Sequence, residues 1–290
     1  MNHSICRKKV RISDFIMYGL IYLCAAISVL LIAGIIVYVF WNGFDKINWE
    51  FLTTTTSFLE DTVGIAGNIL NTIYIIVLTM LIATPIGVGA AIYLNEYAKP
   101  GKLVKLIELA TETLSGIPSI IFGLFGMMFF GTTLGLNYSI LTGTLTLTLM
   151  VLPLITRNTQ EALKTVPNGY RQGAIGLGAG KWYMIRTILL PSSMPGIITG
   201  VILAIGRIGG ESAALLYTAG SSDLLPATVK GYLDKIFQSG GTLTIQLYLS
   251  ASKGEFDVAF GVAVVLLIIV LGINFATKLL AKKFDVNRMS

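Results

Sequence analysis

One histidine, His3, and two cysteines, Cys6 and Cys24, are the whole stock of imidazole and thiol in 290 residues. His3 sits at a terminus, which leaves a zinc-dependent intramembrane hydrolase or a Ser-His nucleophile without residues to be built from. Cys6 lies in a basic leader and Cys24 in an apolar run, so neither a disulfide framework nor a paired metal-ligand spacing is available. Charge is scarce too, at 12% of residues against 54% hydrophobic. Together with a mean hydropathy of +0.78, this excludes an ordinary soluble domain and indicates an integral membrane protein. A net charge of +6 would suggest nucleic acid in a soluble chain, but in a membrane chain it is read loop by loop and no nucleic-acid partner is expected.

The stretch AIGLGAGKWYMIRTILLP, from Ala174 to Pro191, contains what looks like a phosphate-cradling loop. Such a loop needs a glycine five residues before its Gly-Lys pair and a Ser or Thr after the lysine to hold magnesium. Those positions are Ile175 and Trp182. No nucleotide cofactor is therefore expected on this chain.

Apolar runs long enough to cross the bilayer fall near 15–40, 69–94, 117–136, 139–156, 188–220 and 258–281, which predicts six transmembrane helices. The first run follows the basic stretch RKKVR as a signal peptide would, but it stays apolar too long and lacks a small-x-small cleavage site, so it reads as an uncleaved anchor. Leu23 is too bulky to precede a lipidated Cys24. The expected organisation is a basic leader at 1–14, a first helix at 15–40, a core membrane domain at 69–281 containing a loop at about 157–187, and a tail at 282–290.

Lys and Arg are unequally shared between the two sides. The leader (Arg7, Lys8, Lys9, Arg11), the loop after the second run (Lys99, Lys102, Lys105), the loop after the fourth (Arg157, Lys164, Arg171, Lys181, Arg186) and the tail (Lys278, Lys282, Lys283, Arg288) hold sixteen, whereas Lys46, Lys230, Lys235 and Lys253 are the four opposite. The positive-inside rule then puts both termini in the cytoplasm. Acidic residues lean outward, with Asp45, Glu50, Glu60, Asp61, Asp223, Asp234, Glu255 and Asp257, eight of the fifteen, on the outer side. Gly and Pro are dense at 84–91, 115–126 and 191–200, as in helices that approach closely or break. Gly196 and Gly200 fit the G-x-x-x-G pattern of a helix dimerisation face, a weak signal.

The loop RNTQEALKTVPNGYRQGAIGLGAGKWYMIRT is expected to form two short helices, EALKTV and Tyr170–Ile175, separated by Pro167-Asn168-Gly169. On its residues alone two readings stand level. It is a docking knob whose small residues Gly173, Ala174, Gly176 and Gly178 admit a partner while Tyr170, Trp182 and Tyr183 anchor it, or it is an interfacial segment with aromatics at headgroup level.

The spacing resembles the cytoplasmic signature of ABC importer permeases, E-A-A-x3-G-x9-I-x-L-P. Here Gln172-Gly173-Ala174 is followed after three residues by Gly178, and after nine more by Ile188-Leu189-Leu190-Pro191. Gln172 replaces the glutamate and Gly173 the first alanine, which leaves the docking assignment intact but not any role of that glutamate's charge. The resemblance narrows to phosphate-specific permeases of the PstA type through IATPIGVGAAIYLNEYA (82–98), LSGIPSIIFGLFG (114–126), EALKTVP (161–167) and LLPSSMPGIITGVILAIGRIGGESAALLYTAG (189–220). The sister PstC type shares the Arg-x3-Glu element but resembles the chain less beyond it. The resemblance implies an all-α membrane protein with six transmembrane helices and type I ABC importer permease architecture. It also implies that Glu161, Pro167, Arg171, Gln172, Gly173, Ala174, Gly178, Ala179, Ile188, Leu190 and Pro191 belong to a loop inserting a coupling helix into a separate ATPase. ATP and Mg would sit on that partner, leaving this chain without catalytic activity. The remaining implied partners are a second permease of the PstC type, an ATP-binding subunit dimer and an extracytoplasmic phosphate-binding protein, all at a bacterial cytoplasmic membrane.

Within the expected spans the only deep ionisable Asp, Glu, Lys or Arg residues are Arg207 and Glu211. At i and i+4 on one helix they are expected to pair. Arg207 would offer a planar, always-charged fork to a phosphate oxyanion. Glu211 would orient it and is available to accept a hydrogen bond from a protonated phosphate oxygen, which sulfate lacks. The alternative is a structural ion pair holding helices or subunits together. Gly206, Gly209 and Gly210 are expected to leave room beside the guanidinium. Ser192, Ser193, Thr199, Ser212 and Thr218 offer hydroxyls, although in membrane helices these commonly bond their own backbone. The rival readings are a permease for sulfate or molybdate, an intramembrane enzyme, for which the spans lack any Asp, and a passive anion channel, which ATP dependence would distinguish.

Overall fold

The structure, a computed structural model, describes residues 12–57, 62–99, 101–226 and 228–283. His3, Cys6 and the basic residues of the leader, Glu60, Asp61 and the tail from 284 with Arg288 lie outside the described residues, as do the side chains of Lys282 and Lys283. In chain order the elements are α1 (Ile12–Gly43), α2 (Trp49–Thr53), an antiparallel hairpin of β1 (Thr55–Ser57) and β2 (Thr62–Ile65), α3 (Ala66–Ile92), α4 (Lys102–Gly116), α5 (Ser119–Gly126), α6 (Ile140–Lys164), α7 (Asn168–Gly176), α8 (Lys181–Met184), α9 (Leu190–Gly209), α10 (Ala213–Thr218), α11 (Val229–Asp234), α12 (Leu243–Ser252) and α13 (Phe256–Lys283). Wider π turns extend α3 to Tyr97 and α5 to Thr133, and join α8 to α9.

Among the described residues, five helical segments are long and apolar enough to cross a membrane, and six if α4 and α5, bent by 103° at their junction, count as one span. The described residues are all-helical in their regular structure apart from the short hairpin. α1 stands outside the bundle: none of its most apolar stretch is buried within the chain, and it packs against α13, where Tyr38 meets Phe260 edge-on at 5.7 Å and a Cβ at Gly43 would strike the Phe260 carbonyl.

The core lies where α3, α6 and α9 meet, with Ile75, Ile76, Ala83, Leu147, Val151, Ile155, Ala204 and Ile208 all buried. Small residues set the spacing. A Cβ at Gly87 would lie 2.8 Å from Ile155, one at Gly196 2.5 Å from Ala162, and one at Gly200 2.7 Å from Asn158. The G-x-x-x-G face is therefore filled by α6 of the same chain, not held open for a second copy.

Three other expectations change. The segment after the second run is not a plain loop. Leu103, Ile107, Ala110 and Leu114 recur at helical spacing between Lys102, Lys105, Glu108 and Glu112, and this builds α4 until Gly116-Ile117-Pro118 ends it. EALK is the last turn of α6 and not a separate helix, while Asn168 and Gly169 open α7 instead of forming a turn. The fifth run, 188–220, is not one helix: it breaks over Gly210–Ser212 and resumes as α10, which packs on α5 with Ala214 2.9 Å from where a Gly123 Cβ would be.

At the end opposite α7 and α8, buried amides fasten the segment before α12 to α3. Asn68 and Asn71 each donate to the Gly241 carbonyl, at 3.0 and 3.1 Å, and the Leu243 N–H donates to Thr72 Oγ1 at 2.9 Å. Lys235 at this end is buried and donates to the Ser239 carbonyl at 3.2 Å. Burial lowers its pKa below the ordinary lysine value, and the nearby Asp223 opposes that.

Candidate functional site

The break after α9 is built by glycine. Helical bonding ends with the Gly210 N–H on the Gly206 carbonyl (3.3 Å) and the Glu211 N–H on the Ile208 carbonyl (3.2 Å). Non-helical backbone within a spanning bundle must be answered by protein. Thr244 at the start of α12 does this, its hydroxyl donating to the Glu211 carbonyl at 2.8 Å. The Glu211 carboxylate accepts from the Ala214 N–H at 3.1 Å and so caps α10.

The expected Arg207–Glu211 pair consequently does not form. An i, i+4 contact requires a continuous helix, and this one has ended by Gly209. Among the described residues the ion pairs are Lys164 with Glu161 at 3.7 Å and Arg171 with Glu96 at 3.0 Å. The half-buried Arg207 guanidinium makes no hydrogen bond or ion pair among them. The space around it is also less uniform than expected: Gly206 faces open space, whereas Gly209 closes on Val270 of α13 at 2.8 Å.

Of the expected hydroxyls, Ser193, Thr199 and Thr218 bond carbonyls of their own helices. Ser212, one residue past Glu211, instead lines a cavity of about 150 Å³ with Ile120, Ala213, Leu216, Tyr217, Ile245 and Tyr248. Thr244, Tyr217 and Tyr248 escaped the sequence reading because nothing local separates them from other polar residues in apolar runs.

The loop at 157–187 folds as a knob with its own core. Leu163, Val166, Ala174, Met184, Ile185 and Leu189 are buried together, with Ile92 of α3, Ala179 and Ile188 packed against them. The signature residues therefore divide. Ala174, Ala179 and Ile188 shape the knob, while Leu190 and Pro191 are half-buried where α9 begins. Glu161, Pro167, Gln172, Gly173 and Gly178 are exposed. Gly178 has φ +81°, a conformation that suits glycine, and its neighbours Gly173 and Gly176 face open space. Tyr170, Ile175, Trp182 and Tyr183 are all more than half exposed, and Leu177 is 91% exposed. The lysine of the glycine-rich stretch, Lys181, has its ammonium 4.8 Å from the centre of the Tyr97 ring.

Arg171 turns inward. Its Nη2 donates to Glu96 Oε1 (3.0 Å) and the Leu163 carbonyl (2.9 Å), Nη1 donates to the Val166 carbonyl (2.8 Å) and Asn168 Oδ1 (3.3 Å), and Nε donates to Glu96 (3.3 Å). Glu96 was not among the expected site residues. An acidic residue beside Lys99 and Lys102, on the basic side of the chain, was the available signal.

Residues 83–286 match the family described as binding-protein-dependent transport system inner membrane component. The chain belongs to that family. The permease is 36% identical to the probable ABC transporter permease protein YqgI of Bacillus subtilis strain 168, over 92% of this chain and 95% of that protein. It is 31% identical to the phosphate transport system permease protein PstA of Pasteurella multocida strain Pm70, over 81% and 82%. It is also 35% identical to a PstA homolog of Mycoplasma pneumoniae over 89% of its own length, and spans 39% of that longer protein. Among solved structures, a bacterial alginate ABC transporter in complex with alginate pentasaccharide-bound periplasmic protein superposes with a TM-score of 0.68 at 14% identity, covering 94% of the permease and 96% of that chain. The fold is that of a type I ABC importer permease, a multi-pass membrane component of a transporter and not itself a catalytic subunit.

Proposed function

We propose that the permease is one membrane-spanning half of an ATP-driven importer of inorganic phosphate in the bacterial cytoplasmic membrane. The observation that carries this is Arg207, a guanidinium within the spanning bundle, beside a break in its own helix and, among the described residues, without a carboxylate at ion-pair distance. An arginine at the bilayer centre costs about 2.5–3.5 kcal/mol on insertion scales unless something answers it. A planar fork of donors suits an oxyanion, and discontinuous helices are where transporters build such sites. The names of the PstA relatives support phosphate as the oxyanion.

The complex comprises this chain, a second permease of the PstC type, a dimer of ATP-binding subunits carrying ATP and Mg, and an extracytoplasmic phosphate-binding protein. The Lys and Arg excess puts both termini and the knob in the cytoplasm. The knob's exposed aromatics and open glycines suit it to the ATPase cleft. ATP drives transport only where the ATPase contacts differ between two states of the permease.

The test is labelled phosphate uptake in cells lacking their own high-affinity system and supplied with the whole operon, wild-type or Arg207→Ala. Uptake is expected to fall about tenfold or more, the scale of one or two charge-assisted hydrogen bonds, with the complex still co-purifying. Unchanged uptake would make Arg207 structural. A wild-type operon that carries sulfate or molybdate but not phosphate would overturn the cargo while leaving the permease, and uptake without ATP would make it a channel.

A further inference from the structure

The knob and the end of α3 are joined at two successive residues, Glu96 to Arg171 on α7 and Tyr97 to Lys181 on α8. The ion pair is well shielded, with side-chain exposures of 17% for Arg171 and 7% for Glu96. The same guanidinium also holds the Leu163 and Val166 carbonyls at the end of α6, and Asn95 donates to Glu96 Oε1 at 2.8 Å. One arginine thus ties three elements at a single point, and Ile92 closes the knob's core from the α3 side. From there α3 runs along α6 and α9 to Ile76, whose Cδ1 lies 4.0 Å from a Cβ built on Gly209, two residues from Arg207.

We infer that Glu96 is a positioning residue that locks the knob to α3, so that a displacement of the knob is delivered along α3 to the break beside Arg207. This rests on reading the knob as the ATPase-docking element. A pair exposed to water would be too weak for the task, because such pairs contribute about 0–1 kcal/mol. A shielded pair with every guanidinium donor engaged behaves differently, and removing Glu96 leaves Arg171 with neutral oxygen acceptors but no counter-charge in a shielded setting. Lys181 over Tyr97 adds a second contact, so loss of Glu96 loosens the knob without detaching it.

The test uses the complete transporter in lipid nanodiscs, with Cys6 and Cys24 replaced by serine and spin labels at Lys99→Cys and Gly169→Cys, both exposed. With Glu96 present, the interlabel distance is expected to be narrow and the same in the nucleotide-free and ATP-trapped states. In Glu96→Gln it broadens or shifts, and Glu96→Asp restores it in part. In proteoliposomes, Glu96→Gln is expected to lower phosphate imported per ATP hydrolysed several-fold while hydrolysis continues. A Glu96→Gln protein with an unchanged distance distribution would overturn the inference, as would uptake and hydrolysis falling by the same factor. The docking reading is tested separately by Leu177→Asp, which is expected to lower co-purification of the ATPase. If the ATPase stays bound, that reading fails, whereas the nucleotide-free distance in Glu96→Gln still judges the lock by itself.

Discussion

Glu211 combines a local hydrogen bond and a charge that substitution can separate. Its carboxylate caps α10 through the Ala214 N–H, and the next two residues in the chain, Ser212 and Ala213, line the small cavity. Glu211→Gln keeps an oxygen for the cap and leaves the backbone carbonyl on Thr244 untouched. It also puts an amide donor where a protonated phosphate oxygen would need an acceptor. Thermal stability of the purified complex is therefore expected to stay within about 0.5 kcal/mol of wild-type, while phosphate uptake falls. Glu211→Ala removes the cap as well and is expected to cost about 1 kcal/mol of stability in addition. A Gln variant with full uptake would leave Glu211 as a helix cap and nothing more. Arg207 and Glu211 were legible as charges inside an apolar run. Their separation was not, because an i, i+4 expectation presumes helix on both sides of Gly209-Gly210.

The contact of α9 with α6 is set by Gly196 and Gly200 facing Ala162 and Asn158. Gly200→Leu would force the two helices apart and is expected to destabilise by about 1–3 kcal/mol, read as a lower melting temperature of the complex. Gly173→Ala on the open face of α7 meets nothing within 4 Å and is expected to leave stability unchanged. Equal effects of the two would show that α9 does not pack there. Elements such as α1, α3 and α13 were legible because long apolar runs have one solution in a bilayer. The G-x-x-x-G pair was legible as a contact but not as to its partner, since small residues on a helix state that something comes close and not what. The knob's surface was legible from its signature spacing. Its inner fastening was not, because Glu96 and Arg171 are 75 residues apart and no local pattern couples them.

At the scale of the whole molecule, sidedness depends on whether the bent pair crosses. The stretch Ser119–Thr133 is about 22 Å long at 1.5 Å per residue, short of a hydrocarbon core of roughly 30 Å. It spans only with help from Ile117-Pro118 before it and the residues after Thr133. If it crosses, the end of α3 and the knob lie on one side of the membrane, as the Arg171–Glu96 pair requires. The sixteen Lys and Arg counted against four then predict that side to be the cytoplasm. Single cysteines in a Cys6, Cys24-free background, treated with a membrane-impermeant maleimide on intact cells lacking the ATPase subunit, decide it. Leu224→Cys, at a 67% exposed position, is expected to label at once, and Lys99→Cys and Leu177→Cys only after permeabilisation. Labelling of Lys99→Cys and Leu177→Cys from opposite sides would show that the bent pair turns back, and would separate Glu96 from Arg171. Labelling of Leu177→Cys from outside would invert the permease and put its knob beyond the reach of ATP.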